Sequence, residues 1–184
     1  MNIIKLLLAF APWIVFGLVS GPSFFSLEMV IVISLAITLI LGYKTMIKWY
    51  ILPWVTFTFF VLAFITVILM KNIWVATHMK ILSYMVLLAV SWGSILVGLP
   101  FTMQYAKEEV DKSLWNTKSF ILTNQIITAF WGAIFYINLG ISYYLFLHKV
   151  NGQWTFMVLG WVIILIGLVF TTEYTKFARK HRTK

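Results

Sequence analysis

From Phe120 to Leu147 the chain runs 28 residues without an aspartate, glutamate, lysine or arginine. In water such a run has nowhere to hide. As a helix rising 1.5 Å per residue it exceeds the roughly 30 Å of bilayer hydrocarbon, which takes about 20 apolar residues to cross. Five further stretches of 17 to 22 residues are predominantly apolar and near the spanning length: Ile3–Ser20, where Lys5 can snorkel, Leu27–Tyr43, with Glu28 at its start, Trp49–Met70, Ile81–Leu99 and Trp154–Thr172. None alternates with a period of two, so helices are expected rather than a barrel. Ile3–Ser20 resembles a signal peptide in charge and apolarity. Pro12 and Trp13 interrupt it, however, and Pro22 falls where cleavage is poorly tolerated, so it is read as a span. The expected fold is an all-α, polytopic membrane bundle of six transmembrane helices in a single domain covering residues 1–184.

Composition agrees with this reading and narrows the chemistry. The chain is 62% hydrophobic and only 10% charged, against about 45–50% and 25% in soluble domains. It has no cysteine, which excludes disulfides, thiol catalysis and cysteine-ligated metals. Eleven of the fourteen Lys and Arg residues fall on one side of the six-span map: Lys5, Lys44, Lys48, Lys107, Lys112, Lys118 and the end of the chain from Lys176 to Lys184. Lys71, Lys80 and Lys149 fall on the other. The positive-inside rule then puts both termini in the cytoplasm. The net charge of +9 is thereby a matter of span ends, with no nucleic-acid partner implied. Lys107, Lys112, Lys176, Arg179, Lys180 and Arg182 are candidate contacts to anionic lipid headgroups, and a plain anchor for the last span is the alternative.

The segment Trp92–Lys107 aligns without gaps to Trp161–Lys176, with nine of sixteen positions identical. Both segments would leave the membrane on the same side, as duplication of parallel hairpins requires. A weaker echo links Pro12-Trp13, Pro53-Trp54 and Phe130-Trp131. Chance similarity among Leu-, Ile- and Phe-rich stretches is the competing explanation. Small residues four apart (Gly17 and Gly21, Ala89 and Gly93, Ser94 and Gly98) mark faces where helices could approach closely.

Polar groups in hydrocarbon are costly and are the first functional candidates. Asn124, Gln125 and Asn138 lie on the fifth span. Asn124 and Asn138 are fourteen residues apart, close to four turns, so they share a face. That face either hydrogen-bonds neighbouring helices or lines a path for a polar solute. Trp49, Trp54, Trp74, Trp115 and Trp154 flank spans as an interfacial belt. Trp13, Trp92, Trp131 and Trp161 sit within spans, where they either pack or enclose a pocket for a flat ligand. The polar stretch Pro100–Lys118 predicts an interfacial surface helix, with Tyr105 and Glu109, and Glu108 and Lys112, at i,i+4 spacing. Glu28 opens the second span, where a negative charge favours the helix dipole. His78, His148 and His181 are unpaired in sequence, with the first two expected in outer loops. No Walker loop, dinucleotide fingerprint or HExxH motif is present. No cofactor and no catalytic residue is expected.

The residues Trp115, Asn124, Trp131, Phe135, Asn138, Trp154 and Phe156 give the last third a resemblance to the intracellular septation protein A family. Pro100–Glu108 resembles a stretch of uncharacterised bacterial inner-membrane proteins. The resemblance implies a multi-pass inner-membrane protein of envelope maintenance or division, without known catalysis, and assigns no site residue. The expected function is organisation of envelope partners, with lipids, other membrane proteins or a second copy as partners. A small-solute transporter using the polar face of the fifth span is the alternative, and a lipid-headgroup enzyme using the acids of Pro100–Lys118 is a third.

Overall fold

A computed structural model describes residues 3–19, 23–148 and 153–182, with side chains in the last segment described from 158 to 180. Among these residues the structure is helical without a strand: α1 (Ile3–Val19), α2 (Phe24–Ile47), α3 (Ile51–Ala63, continuing as π-helix through Phe64–Leu69), α4 (Ile73–Leu96), α5 (Phe101–Ala106), α6 (Lys118–His148) and α7 (Gln153–Arg182). Five helices are long and apolar enough to cross a membrane: α2, α3 with its π extension, α4, α6 and α7. The apolar α1, at 17 residues, is shorter. The chain divides into two compact units, Ile4–Val86 and Leu87–Lys184 with the first three residues, meeting within α4.

In the first unit α2 and α3 pack as an antiparallel pair. Pro53 lies against Gly42 near the turn, and at the far end Lys71 forms an ion pair with Glu28. With α2 starting at Phe24, Glu28 lies beyond the first turn and answers a cation across the pair rather than the helix dipole; the Lys71 ammonium also stands 5.7 Å from the Phe24 ring. The turn places Trp49 at φ 58°, a left-handed conformation uncommon for a non-glycine residue. The Trp49 ring stacks on Trp54 at 5.3 Å. Trp13 of α1 is buried and donates its indole N–H to Thr56 Oγ1 at 2.8 Å. The Ser34 hydroxyl donates to the Pro12 carbonyl at 3.1 Å.

Several boundaries differ from the sequence expectation. The second span begins at Phe24, capped by the Ser23 hydroxyl on the Ser26 N–H, and runs past Lys44 to Ile47. The fourth begins at Ile73, where Asn72 Oδ1 accepts from the Val75 N–H. His78 and Lys80 therefore lie inside a helix and not in a loop, and His148 is the last residue of α6. The expected terminal tail from Lys176 continues α7 without a break to Arg182.

In the second unit α4 ends at a left-handed turn. The Leu99 N–H reaches the Ser94 carbonyl at 2.9 Å around Gly98, whose φ is +74°, the pattern that closes a helix with glycine. Pro100 then starts α5. A β-carbon at residue 98 would meet no neighbour, so Gly98→Ala should cost only the backbone term, about 1 kcal/mol. Gly98→Asn should recover part of it; unfolding in mixed micelles measures both. Gly98 therefore turns the chain rather than packing a helix, and the Ser94–Gly98 pair is not a contact face. Ser94 instead accepts the Phe101 N–H at 3.1 Å, bridging the break.

The predicted surface helix across residues 100–118 is also corrected. Phe101, Thr102, Met103, Tyr105 and Ala106 of α5 are buried, with Met103 and Ala106 packed on Phe120. Two 3-10 turns follow, Lys107–Glu109 and Lys112–Leu114, separated by extended Val110. Glu108 and Lys112 consequently do not share one helix. Apolar side chains of α5 win the burial that the charged half of the segment cannot.

Candidate functional site: the polar face of α6

Contacts between α6 and α7 run in opposite order along the two helices: Asn138 with Gly160, Ile134 and Trp131 with Gly167, and Trp131 with Thr171. The pair is antiparallel and closely seated. A β-carbon on Gly160 would stand 2.7 Å from Asn138 Oδ1, and one on Gly167 would press into Ile134 and the Trp131 ring. Gly160 and Gly167 are seven residues apart, two turns, and share one face. On the other side of α6, a β-carbon on Gly132 would meet the Trp92 ring at 2.9 Å and Ser91 at 3.3 Å. None of these glycines belongs to a Gly, Ala or Ser pair four apart of the kind the sequence pointed to. A seven-residue spacing on the last span was the available signal.

Asn124 and Asn138 are both 2% exposed. Each carboxamide donates to its own helix, Asn124 Nδ2 to the Phe120 carbonyl at 2.8 Å and Asn138 Nδ2 to the Ile134 carbonyl at 3.0 Å. Gln125 is half-buried beside them. Thr102 of α5 reaches the Asn124 carbonyl at 3.1 Å and Thr128 Oγ1 at 2.7 Å. With the Thr102 proton on that carbonyl, Thr128 donates the second bond. Trp131, 2% exposed, donates to Thr171 Oγ1 of α7 at 3.0 Å. Thr102 and Thr171 are corresponding positions of the internal echo. Both are buried, and both bond to α6. The copies differ where Pro100 stands opposite Val169: the first breaks at Gly98, and the second stays helical with Gly167 packed.

The candidate tryptophans serve separate contacts. Trp131 is enclosed between α6 and α7. Trp92, 46% exposed, lies across Gly132 on the rim, and Trp161 is half-buried. A cleft among the described residues of this unit lies elsewhere, at the end of the α6–α7 pair. It is walled by Val110, Thr123, Asn124, Thr175 and Arg179 and holds about 20 Å³, room for about one water.

Of the candidate headgroup residues, the Lys107 ammonium stands 5.2 Å from the Trp115 ring. Lys176 pairs with Glu173 at 2.7 Å, and Arg179 Nη2 approaches Glu109 Oε2 at 3.5 Å. Lys112 and Lys180 are exposed; the Arg182 side chain lies outside the described set. Among the described residues no group of three His, Cys, Asp or Glu side chains could hold a metal.

Asp111 caps the second 3-10 turn, its Oδ1 accepting from the Ser113 N–H at 2.8 Å. That backbone bond, with help from the Ser113 hydroxyl, holds the carboxyl below its usual range. A depressed folded value means the cap is fully present above the ordinary carboxylate pKa and fades as pH falls through the lowered one. The Ser113 amide resonance should therefore shift with a midpoint below the ordinary carboxylate pKa, and Asp111→Asn should remove that acid limb while keeping the turn.

No protein-family profile, curated protein or solved structure matches this chain.

Proposed function

We propose that this is a bacterial inner-membrane protein that binds lipid and organises envelope partners without catalysing a reaction. On this reading α1 completes six crossings, the bilayer thinning locally to fit its 17 residues, and both termini stay in the cytoplasm. The eleven-to-three bias of basic residues supports the orientation. The matching grips of Thr102 and Thr171 on α6 support an origin of the fourth and sixth spans by duplication. The resemblance to the septation protein A family points to the same membrane.

The observation that carries the reading is how α6 uses its polar groups. Asn124, Thr128, Trp131 and Asn138 are turned into helix carbonyls and neighbouring hydroxyls, an arrangement that suits a rigid scaffold better than a solute path. Because the chain lacks cysteine, single cysteines placed near each end report sidedness without background. Both are expected to react with a membrane-impermeant maleimide only after the cell is opened. Labelling of either in intact cells overturns the orientation. Asn124→Leu and Asn138→Leu are each expected to leave co-purification of lipid and partners near wild type. Proteoliposome flux of a polar solute, present in the wild type and lost in both variants, would establish the transporter instead.

A further inference from the structure

The charges at the end of the α6–α7 pair are of both signs. Four of the protein's five acidic residues and six basic ones lie in 107–118 and 173–180. The α2–α3 turn, by contrast, carries Lys44 and Lys48 with no acid near them in sequence. A belt serving only anionic lipid needs cations alone. Here a carboxylate, Glu109, stands 3.5 Å from the guanidinium of Arg179; Arg179 helps to wall the cleft, and so does Val110, the residue next to Glu109. A headgroup bearing only a phosphate would be held by Arg179 and repelled by Glu109 at nearly the same distance.

We infer that Arg179 and Glu109 together hold a headgroup carrying both a phosphate and a primary ammonium, as in phosphatidylethanolamine. The phosphate takes N–H donors of the guanidinium, which offers five in a planar fork. The ammonium donates to the Glu109 carboxylate. A trimethylated ammonium has no N–H to give, and a glycerol headgroup has no cation. The cleft behind, at about 20 Å³, admits a water but not the headgroup, so the lipid sits at the mouth. That water can relay the phosphate to Thr123 and Thr175, which line the cleft. Along α7, Leu165 lies fourteen residues from Arg179, near four turns and on the same face, and is 58% exposed. An acyl chain descending from the bound phosphate meets this apolar surface.

This assignment rests on the membrane, lipid-binding reading and names its ligand. The test is native mass spectrometry of the full chain in micelles, titrated with phosphatidylethanolamine, phosphatidylglycerol, phosphatidylcholine and soluble glycerophosphoethanolamine. Wild type should bind the ethanolamine lipid about five-fold more tightly than either other lipid, the scale of one partly exposed ion pair. Glu109→Gln should erase the preference over phosphatidylcholine, and Arg179→Gln should weaken all three lipids, both with the wild-type unfolding transition. If the variants do not fold, the wild-type ranking alone decides. Equal binding of the three lipids, or a preference for phosphatidylglycerol, overturns the headgroup assignment while leaving lipid binding intact. Glycerophosphoethanolamine binding as tightly as the lipid assigns the site to a soluble ligand and overturns it too. Retention of no lipid at all removes the lipid-binding reading with it.

Discussion

Replacing Trp131 with alanine should destabilise the protein by about 3–5 kcal/mol, the usual cost of emptying a buried indole site. The ring is 2% exposed, lies against Gly167 and forms a tilted contact with Phe135 at 5.7 Å. In lipid the hydrophobic drive between helices is absent, so the loss comes from dispersion contacts that no solvent molecule replaces. The hydrogen bond to Thr171 is the smaller part. Thr171→Val should cost about 0.6 kcal/mol, the average for such bonds between membrane helices. Trp131→Phe should fall between the two. Reversible unfolding in mixed micelles, followed by tryptophan fluorescence and circular dichroism, orders the three. A Trp131→Ala loss no larger than that of Thr171→Val would mean that the ring is not a packing element.

Gly167→Leu is the converse experiment, filling rather than emptying the same seam. A β-carbon there already presses on Ile134 and stands 3.2 Å from the Trp131 ring. For alanine the Ile134 tip can swing aside, and a cost of about 1 kcal/mol is expected. Leucine has no such escape and should separate α6 from α7, costing about 3 kcal/mol or more. Unfolding in mixed micelles should register it. Gly93→Leu is the control, since a β-carbon there meets nothing within 4 Å, and it should be nearly silent. Equal effects at 93 and 167 would mean that bulk, rather than the seam, sets the response.

The long apolar helices were legible because hydrocarbon thickness imposes a length that a charge-free run displays directly. Their ends were less so, for a physical reason. A charge in the sequence marks where a side chain needs water and not where the helix stops, since the backbone stays helical while long side chains reach out. Lys44, Lys80 and Lys176 all ride on helices that continue past them. Asn72 and Ser23 were available cap signals that would have corrected two starts. Fourteen-residue spacing placed Asn124 and Asn138 on one face, and both are buried. Spacing could not show that their carboxamides bond to their own helix, because that choice is made by the side-chain torsion and not by the period. The contact between Arg179 and Glu109 joins residues 70 apart in sequence, and nothing local announces it.

The unbroken course of α7 bears on the carboxyl end. At 30 residues the helix extends about 45 Å, some 15 Å more than the hydrocarbon requires. On the proposed membrane reading, Lys176, Arg179 and Lys180 are thus mounted on a stiff mast, at set heights and compass bearings above the lipid. A peripheral protein docking there would find an address already oriented, and a tilt imposed on the mast would swing its foot inside the bilayer.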